Sequence, residues 1–284
     1  MRRRRRKRRR RRPRRARPKS RSQPSASVPD GALIGYLDDG NWSACFGVSL
    51  RDLCLFDAAG PQRIIRPGGG ELRKTVGAMG LASGRNDLCR RFLDEHDADW
   101  LFMVDTDMGF QPDIVERLIA SADAGTRPVM GGLCFAAVRV RPAAGIHPLH
   151  AERFRIQPTV YAFVTDENNA GVVPILDYPR DSVVQVDATG AACLLIHRTA
   201  LEKVRAKDGD RWFDLMVHPT GDKGRPRTFS EDLSFCVRLR SCDIPVHVDT
   251  GAHTTHDKGF IFLDEETFDQ QMALAGLLQE MAKA

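Results

Sequence analysis

The chain has 284 residues, enough for one large domain or two small ones, and its 42% hydrophobic content supports a sizeable core. Its net charge of +6 is segregated: residues 2–21 hold 16 of the 43 Lys and Arg and no acid, leaving 27 bases against 37 acids, a balance of −10. That balance argues against a broad nucleic-acid face on the body. No run approaches the roughly 20 apolar residues of a membrane span, and no apolar segment of secretory-signal length follows the arginines.

The first 35 residues read as a disordered basic tail, since the arginine run has almost no apolar surface and repels itself. Residues 2–21 suit a nucleic-acid partner, an acidic protein face or an anionic membrane. They also suit a solvated extension, or codons read from a misplaced start. Residues 36–284 then form one domain. The seven cysteines are odd in number and include no CxxC pair. Buried free thiols in a reducing compartment explain them, which points to the cytoplasm.

Along the body, Ser43–Leu50 reads as a first buried strand, and "IIRPGGGE" as a short strand and a loop. Glu71–His96 reads as a helix bent near Gly80–Gly84, with Leu88, Phe92 and Leu93 on its apolar face. A strand ends at Asp105, a helix runs from Pro112 to Ala122, and "PVMGGLCF" is another strand. Residues Ala136–Gln185 show no regular pattern. "VVQVDATGAACLLIHR" is a strand broken by Gly190, followed by a helix over "TALEKVRAK". His218–Thr228 reads as a mobile loop. Ser230 caps a helix with acids in its first turn, "IPVHVD" is a last short strand, and Glu265–Ala282 is a closing helix. Alternating strands and helices predict an α/β fold with a mostly parallel sheet.

In such sheets ligands gather beyond the carboxyl ends of the strands, where "WLFMVDTDMGF" places Asp105 and Asp107. Two like charges so close repel unless something positive lies between them. A small divalent cation, with its preference for carboxylate oxygens, waters and phosphates, fits that position. Haloacid-dehalogenase-like phosphatases also end an apolar strand in Asp-x-Asp. Their pair opens the domain and precedes Thr or Val, however, whereas here about 60 structured residues come first and Gly109 takes the Thr/Val place.

Three further stretches, "SGRNDLCRRFL", "VDATGAACLLIHR" and "FSEDLSFCVRLRSCDIPVHVDTGAHTTH", complete an ordered set. Together with the Asp-x-Asp strand they resemble the GT-A nucleotide-sugar glycosyltransferases, and most of all the compact family-two-like enzymes frequent in bacteriophage genomes. The likeness spans about Trp42–Phe260. It implies a Rossmann-like mixed sheet flanked by helices and a hexosyl transfer from a UDP-, GDP- or dTDP-linked sugar to an acceptor hydroxyl, with Mn²⁺ or Mg²⁺ as cofactor. Carried over by position, Asp107, Asp105 and His256 are implied at the metal, with His253 as the fallback. Arg85, Asn86, Asp105, Asp107, Gly190 and Ala191 are implied at the donor. Asp232, with Glu231 beside it, is implied as the base. Trp212 and Phe213 offer aromatic faces for an acceptor, although core packing explains them equally well. A protein, a glycan or another molecule is open as acceptor; a base at Asp232 implies inversion, and a misplaced carboxylate leaves retention open. The second class of function is a nucleic-acid-binding protein, with the arginine tail as its binding element and a catalytically inactive body.

Overall fold

The computed structural model describes residues 31–65, 69–75, 80–140, 153–259 and 261–281. The arginine-rich segment lies outside the described residues. In chain order the elements are β1 (Ala32–Asp38), α1 (Ala44–Ala59), β2 (Gly70–Thr75), α2 (Gly80–Glu95), β3 (Trp100–Val104), β4 (Met108–Phe110) and α3 (Ile114–Ser121). Then follow β5 (Val129–Leu133), β6 (Phe135–Val140), β7 (Arg153–Pro158), β8 (Val160–Thr165), β9 (Ala170–Pro174), β10 (Val183–Val186), β11 (Ala188–Thr189) and β12 (Cys193–His197). The chain closes with α4 (Arg198–Asp208), β13 (Val217–Asp222), β14 (Arg225–Thr228), α5 (Glu231–Ser241), β15 (Val246–Asp257), β16 (Phe262–Leu263) and α6 (Glu265–Met281).

The central sheet has the order β10-β15-β5-β12-β3-β1-β2, with β4 and β16 attached to β15. Strands β2, β1, β3, β5 and β15 share one direction, while β12 and β10 run against it. The fold is therefore mixed α/β with a mostly parallel sheet. Alternation along β1 shows how both faces are covered. Ala32, Ile34 and Tyr36 join a core with Phe46 and Leu53 of α1 and Ile114 and Leu118 of α3. Leu33 and Leu37 join the other core, with Leu88 and Phe92 of α2, Leu201 of α4 and Phe235 of α5. A sheet buried on both faces needs these near-continuous apolar strands. No helix among the described residues is long and apolar enough to cross a membrane.

Several expectations change. Residues 32–35 are not tail, because "ALIGYLD" is a fully buried strand lying between β3 and the edge strand β2. Ser43–Leu50 is not a strand. Ser43 caps α1, its side chain accepting from the Phe46 amide at 3.1 Å, and Phe46, Leu50, Leu53 and Asp57 recur at helical spacing on the buried side. Glu71–Thr75 belongs to β2, parallel to β1, so the helix starts only at Gly80. The unpatterned 136–185 region holds antiparallel pairs, β6 with β7 and β8 with β9. His218–Thr228 is a hairpin rather than a loop. The short "IPVHVD" strand is the start of the twelve-residue β15, which runs on through both candidate histidines.

β15 has two halves. His247, Val248 and Asp249 pair with β5, and the register breaks before His253. Beyond the break, Thr254, Thr255 and His256 pair with β4.

Candidate active site

The carboxyl ends of β3 and β5, the start of α5 and the outer half of β15 meet on one rim. β12 runs antiparallel to β3, so its first residues lie against the end of β3, and the Asp105 amide donates to the Ala192 carbonyl at 3.0 Å. Gly190 and Ala191 are thereby brought beside Asp105. A Cβ added to Gly190 would lie 3.7 Å from Asp232 Oδ2, which puts the glycine backbone next to the candidate base. Ala191 is buried and packs into the core, so only its backbone faces the rim.

α2 reaches this rim through a close approach to β1. A Cβ on Gly84 would sit 2.8 Å from Leu37 Cδ2, so a glycine is what lets the helix seat. The next residue, Arg85, is buried and donates through Nη2 to both oxygens of Asp105 (2.9 and 3.2 Å) and through Nη1 to Glu231 (2.5 Å). Burial pulls the guanidinium pKa down, but the two carboxylates outweigh it and the pKa is raised. Glu231 is thus paired with Arg85. Asp105 is tied to the same arginine.

Asp107 stands apart from that cluster. Its Oδ2 lies 3.0 Å from His256 Nε2 and 3.0 Å from Lys258 Nζ. Burial raises its pKa, but the histidine and the lysine overcome this and hold it down at about 2. Burial lowers the His256 pKa, and the Asp107 carboxylate reverses the sign, so it is raised above its ordinary value. His256 Nδ1 lies 3.0 Å from the Phe135 carbonyl, which can only accept, so Nδ1 carries a proton. In the neutral ring Nε2 is then an acceptor aimed at a carboxylate oxygen. Only a proton on Nε2, or a cation shared by both groups, satisfies that pairing.

A divalent cation would find two donors here, with the Lys258 ammonium on the same Asp107 oxygen in its place. A carboxylate and an imidazole nitrogen converge, and the other ring nitrogen is anchored on a carbonyl, as in metal-binding histidines generally. Asp105 does not complete a triad, and among the described residues no group of three His, Cys, Asp or Glu side chains is arranged to hold an ion. The fit is therefore to a metal with two protein ligands, the rest coming from water and phosphate. His253 is committed elsewhere, at 3.1 Å from Glu265 and 3.7 Å from Asp181.

Asp232 sits at the start of α5. Its Oδ1 accepts from Ser230 Oγ and from the Leu233 amide at 2.8 Å, which leaves Oδ2 turned toward Gly190. The expected aromatic platform is absent. Trp212 and Phe213 are fully buried, Trp212 donating to the Leu201 carbonyl and Phe213 stacking on Phe235 at 4.5 Å. Phe213 also lies under the Arg85 guanidinium, 5.8 Å away. Asn86 is engaged with the loop after α4: it donates to Asp214 at 2.7 Å and accepts from the Phe213 amide at 2.7 Å.

Lys258 was missed by the sequence reading. Its signal was there, since a residue two positions after His256 in an extended chain falls on the same side.

No protein-family model matches the chain, and no curated protein matches it. Among solved structures it is similar to the crystal structure of A197 from STIV, with a TM-score of 0.46 and 14% identity over 80% of this chain and 85% of that one. A likeness at that level speaks to neither activity nor ligand.

Proposed function

We propose that the chain is a metal-dependent glycosyltransferase of the GT-A type, moving a sugar from a nucleotide diphosphate to an acceptor hydroxyl with inversion. The observation that carries this reading is the convergence of Asp107 and His256, 149 residues apart, with Arg85 and Asp232 on the same rim.

Asp107 and His256 would hold Mn²⁺ or Mg²⁺, which when bound offsets the charge developing on the leaving diphosphate. Nitrogen from a neutral imidazole favours Mn²⁺ somewhat. Arg85 fixes Asp105 and Glu231 in one arrangement, so that Asp105 faces the donor as an oriented acceptor. Lys258, now on Asp107, would add a second positive charge for the diphosphate. Asp232 takes the hydroxyl proton of the acceptor on Oδ2 while the acceptor oxygen bonds to the anomeric carbon. The bond from that carbon to the diphosphate oxygen breaks, and its electron pair leaves with the diphosphate.

The test is thermal unfolding with UDP-, GDP- and dTDP-sugars, each with and without Mn²⁺, since a ligand bound only by the folded state raises Tm. Stabilisation by one donor class that requires Mn²⁺ is expected, followed by turnover of that donor. Equal melting under all conditions refutes the reading.

A further inference from the structure

On this reading the group beside Asp232 is the acceptor, so the walls of that cleft describe what the acceptor is. The hairpin β6–β7 pairs Val138 with Arg155 and Ala136 with Gln157. One face of it lines a cleft of about 230 Å³ together with Tyr161, Ser230 and Asp232. Drug-sized pockets run to roughly 300–1,000 Å³, so this one takes a single residue-sized group rather than a length of polymer.

Arg155 supplies the one cationic side chain among the described lining. It donates from Nη2 to Gln157 Oε1 at 3.0 Å, a neutral partner, and no carboxylate among the described residues forms an ion pair with it. Arg225 and Arg227 of the exposed strand β14 also hold no carboxylate, but among the arginines described Arg155 is the one that lines the cleft with Asp232. Arg63, Arg85, Arg117, Arg180 and Arg205 all hold carboxylates, and Arg198 and Arg238 are spent on backbone carbonyls. Within the described lining Arg155 is the one charge that opposes Asp232, in a chain whose balance beyond residue 21 is −10.

A neutral sugar needs no guanidinium beside the base. A planar fork of donors matches a carboxylate or phosphate, which it binds through two parallel hydrogen bonds. We infer that the acceptor carries an oxyanion next to the hydroxyl that receives the sugar, and that Arg155 of the β6–β7 hairpin holds it. The anion is a spectator in the transfer: the bonds made and broken are those already described, and its charge is matched by Arg155 rather than left against Asp232.

The experiment measures binding of galactose, galacturonate and galactose 6-phosphate to the full chain with UDP and Mn²⁺ present, in wild type and Arg155→Gln. Galacturonate or galactose 6-phosphate should bind tenfold to a hundredfold more tightly than galactose, roughly the range of a hydrogen bond to a charged group. Which of the two binds better tells carboxylate from phosphate. The preference should collapse in Arg155→Gln, a variant whose far-UV spectrum and Tm are checked against wild type. Galactose binding as tightly as both anions overturns the inference, and so does a preference that survives Arg155→Gln. Turnover of nucleotide-sugars is scored separately. Turnover without an anion preference sinks this inference and leaves the glycosyltransferase reading standing. An anion preference without turnover of any donor removes that reading, and with it the acceptor role, leaving an anion-binding cleft.

Discussion

Arg85→Met removes the one cation between Asp105 and Glu231. In the native protein its guanidinium is buried and reaches three carboxylate oxygens, at 2.5, 2.9 and 3.2 Å. Breaking a buried pair by deleting one partner costs about 3–5 kcal/mol, because an uncompensated charge stays behind. Here the Asp105 side chain is 34% exposed and Glu231 19%, so water screens what remains. The lower end, about 3 kcal/mol, therefore applies, and at roughly 2–4 °C per kcal/mol for a domain of this size Tm should fall by about 6–12 °C. The combination Arg85→Met, Asp105→Asn, Glu231→Gln takes the stranded charges away and should recover at least half of that loss, with no recovery of donor turnover. Circular-dichroism melts of the three proteins decide it. A single variant melting within about 2 °C of wild type would refute the buried tie, as would a triple variant no more stable than the single one.

Asp232→Asn keeps shape and loses basicity, so transfer should fall roughly 10²-fold or more with little change in donor affinity, read from steady-state kinetics. Asp107→Ala deletes charge and ligand together and should abolish activity at any practical Mn²⁺ concentration. His256→Ala should be partly rescued by excess Mn²⁺, and a wild-type Mn²⁺ titration in that variant would remove the histidine from the metal site. Trp212→Ala, which empties a fully buried site and orphans the Leu201 carbonyl, should cost about 3–5 kcal/mol in chemical denaturation, and a neutral result would contradict the packing. Deleting residues 1–28 should leave the far-UV spectrum and donor turnover intact, since the segment holds almost no apolar residues, and unfolding on truncation would show that the tail supports the body.

The strand carrying the acids was legible because five apolar residues ran straight into charge. β1 was not, since a strand buried on both faces shows no alternation and this one abuts the basic tail. α1 was misread over eight residues, too short a window for a 3.6 period; extended to Asp57, the spacing of Phe46, Leu50, Leu53 and Asp57 is plainly helical. The outer half of β15 lay beyond the expected strand because it is polar and lacks the apolar run of "IPVHVD", while in the fold it pairs with two short strands. At the site, proximity of Asp107 to His256 came only through the family likeness, as no local spacing links residues so far apart. The bridge from Arg85 to Glu231 had no signal at all. Trp212 and Phe213, flanked by Arg211 and Asp214, suited a platform or the core alike; whether such rings face in or out is decided by the elements that close over them.

The break in β15 gives the rim a degree of independence. Its inner half takes its register from β5 and β10, while its outer half is registered by β4, the strand that begins immediately after Asp107. Met108 stands opposite His256, and the Asp257 amide donates to the Asp107 carbonyl at 2.8 Å. The distance between the two candidate metal ligands is thus a property of one short ladder. Repacking deep in the inner sheet therefore leaves the spacing of the two residues untouched as long as that ladder keeps its rungs.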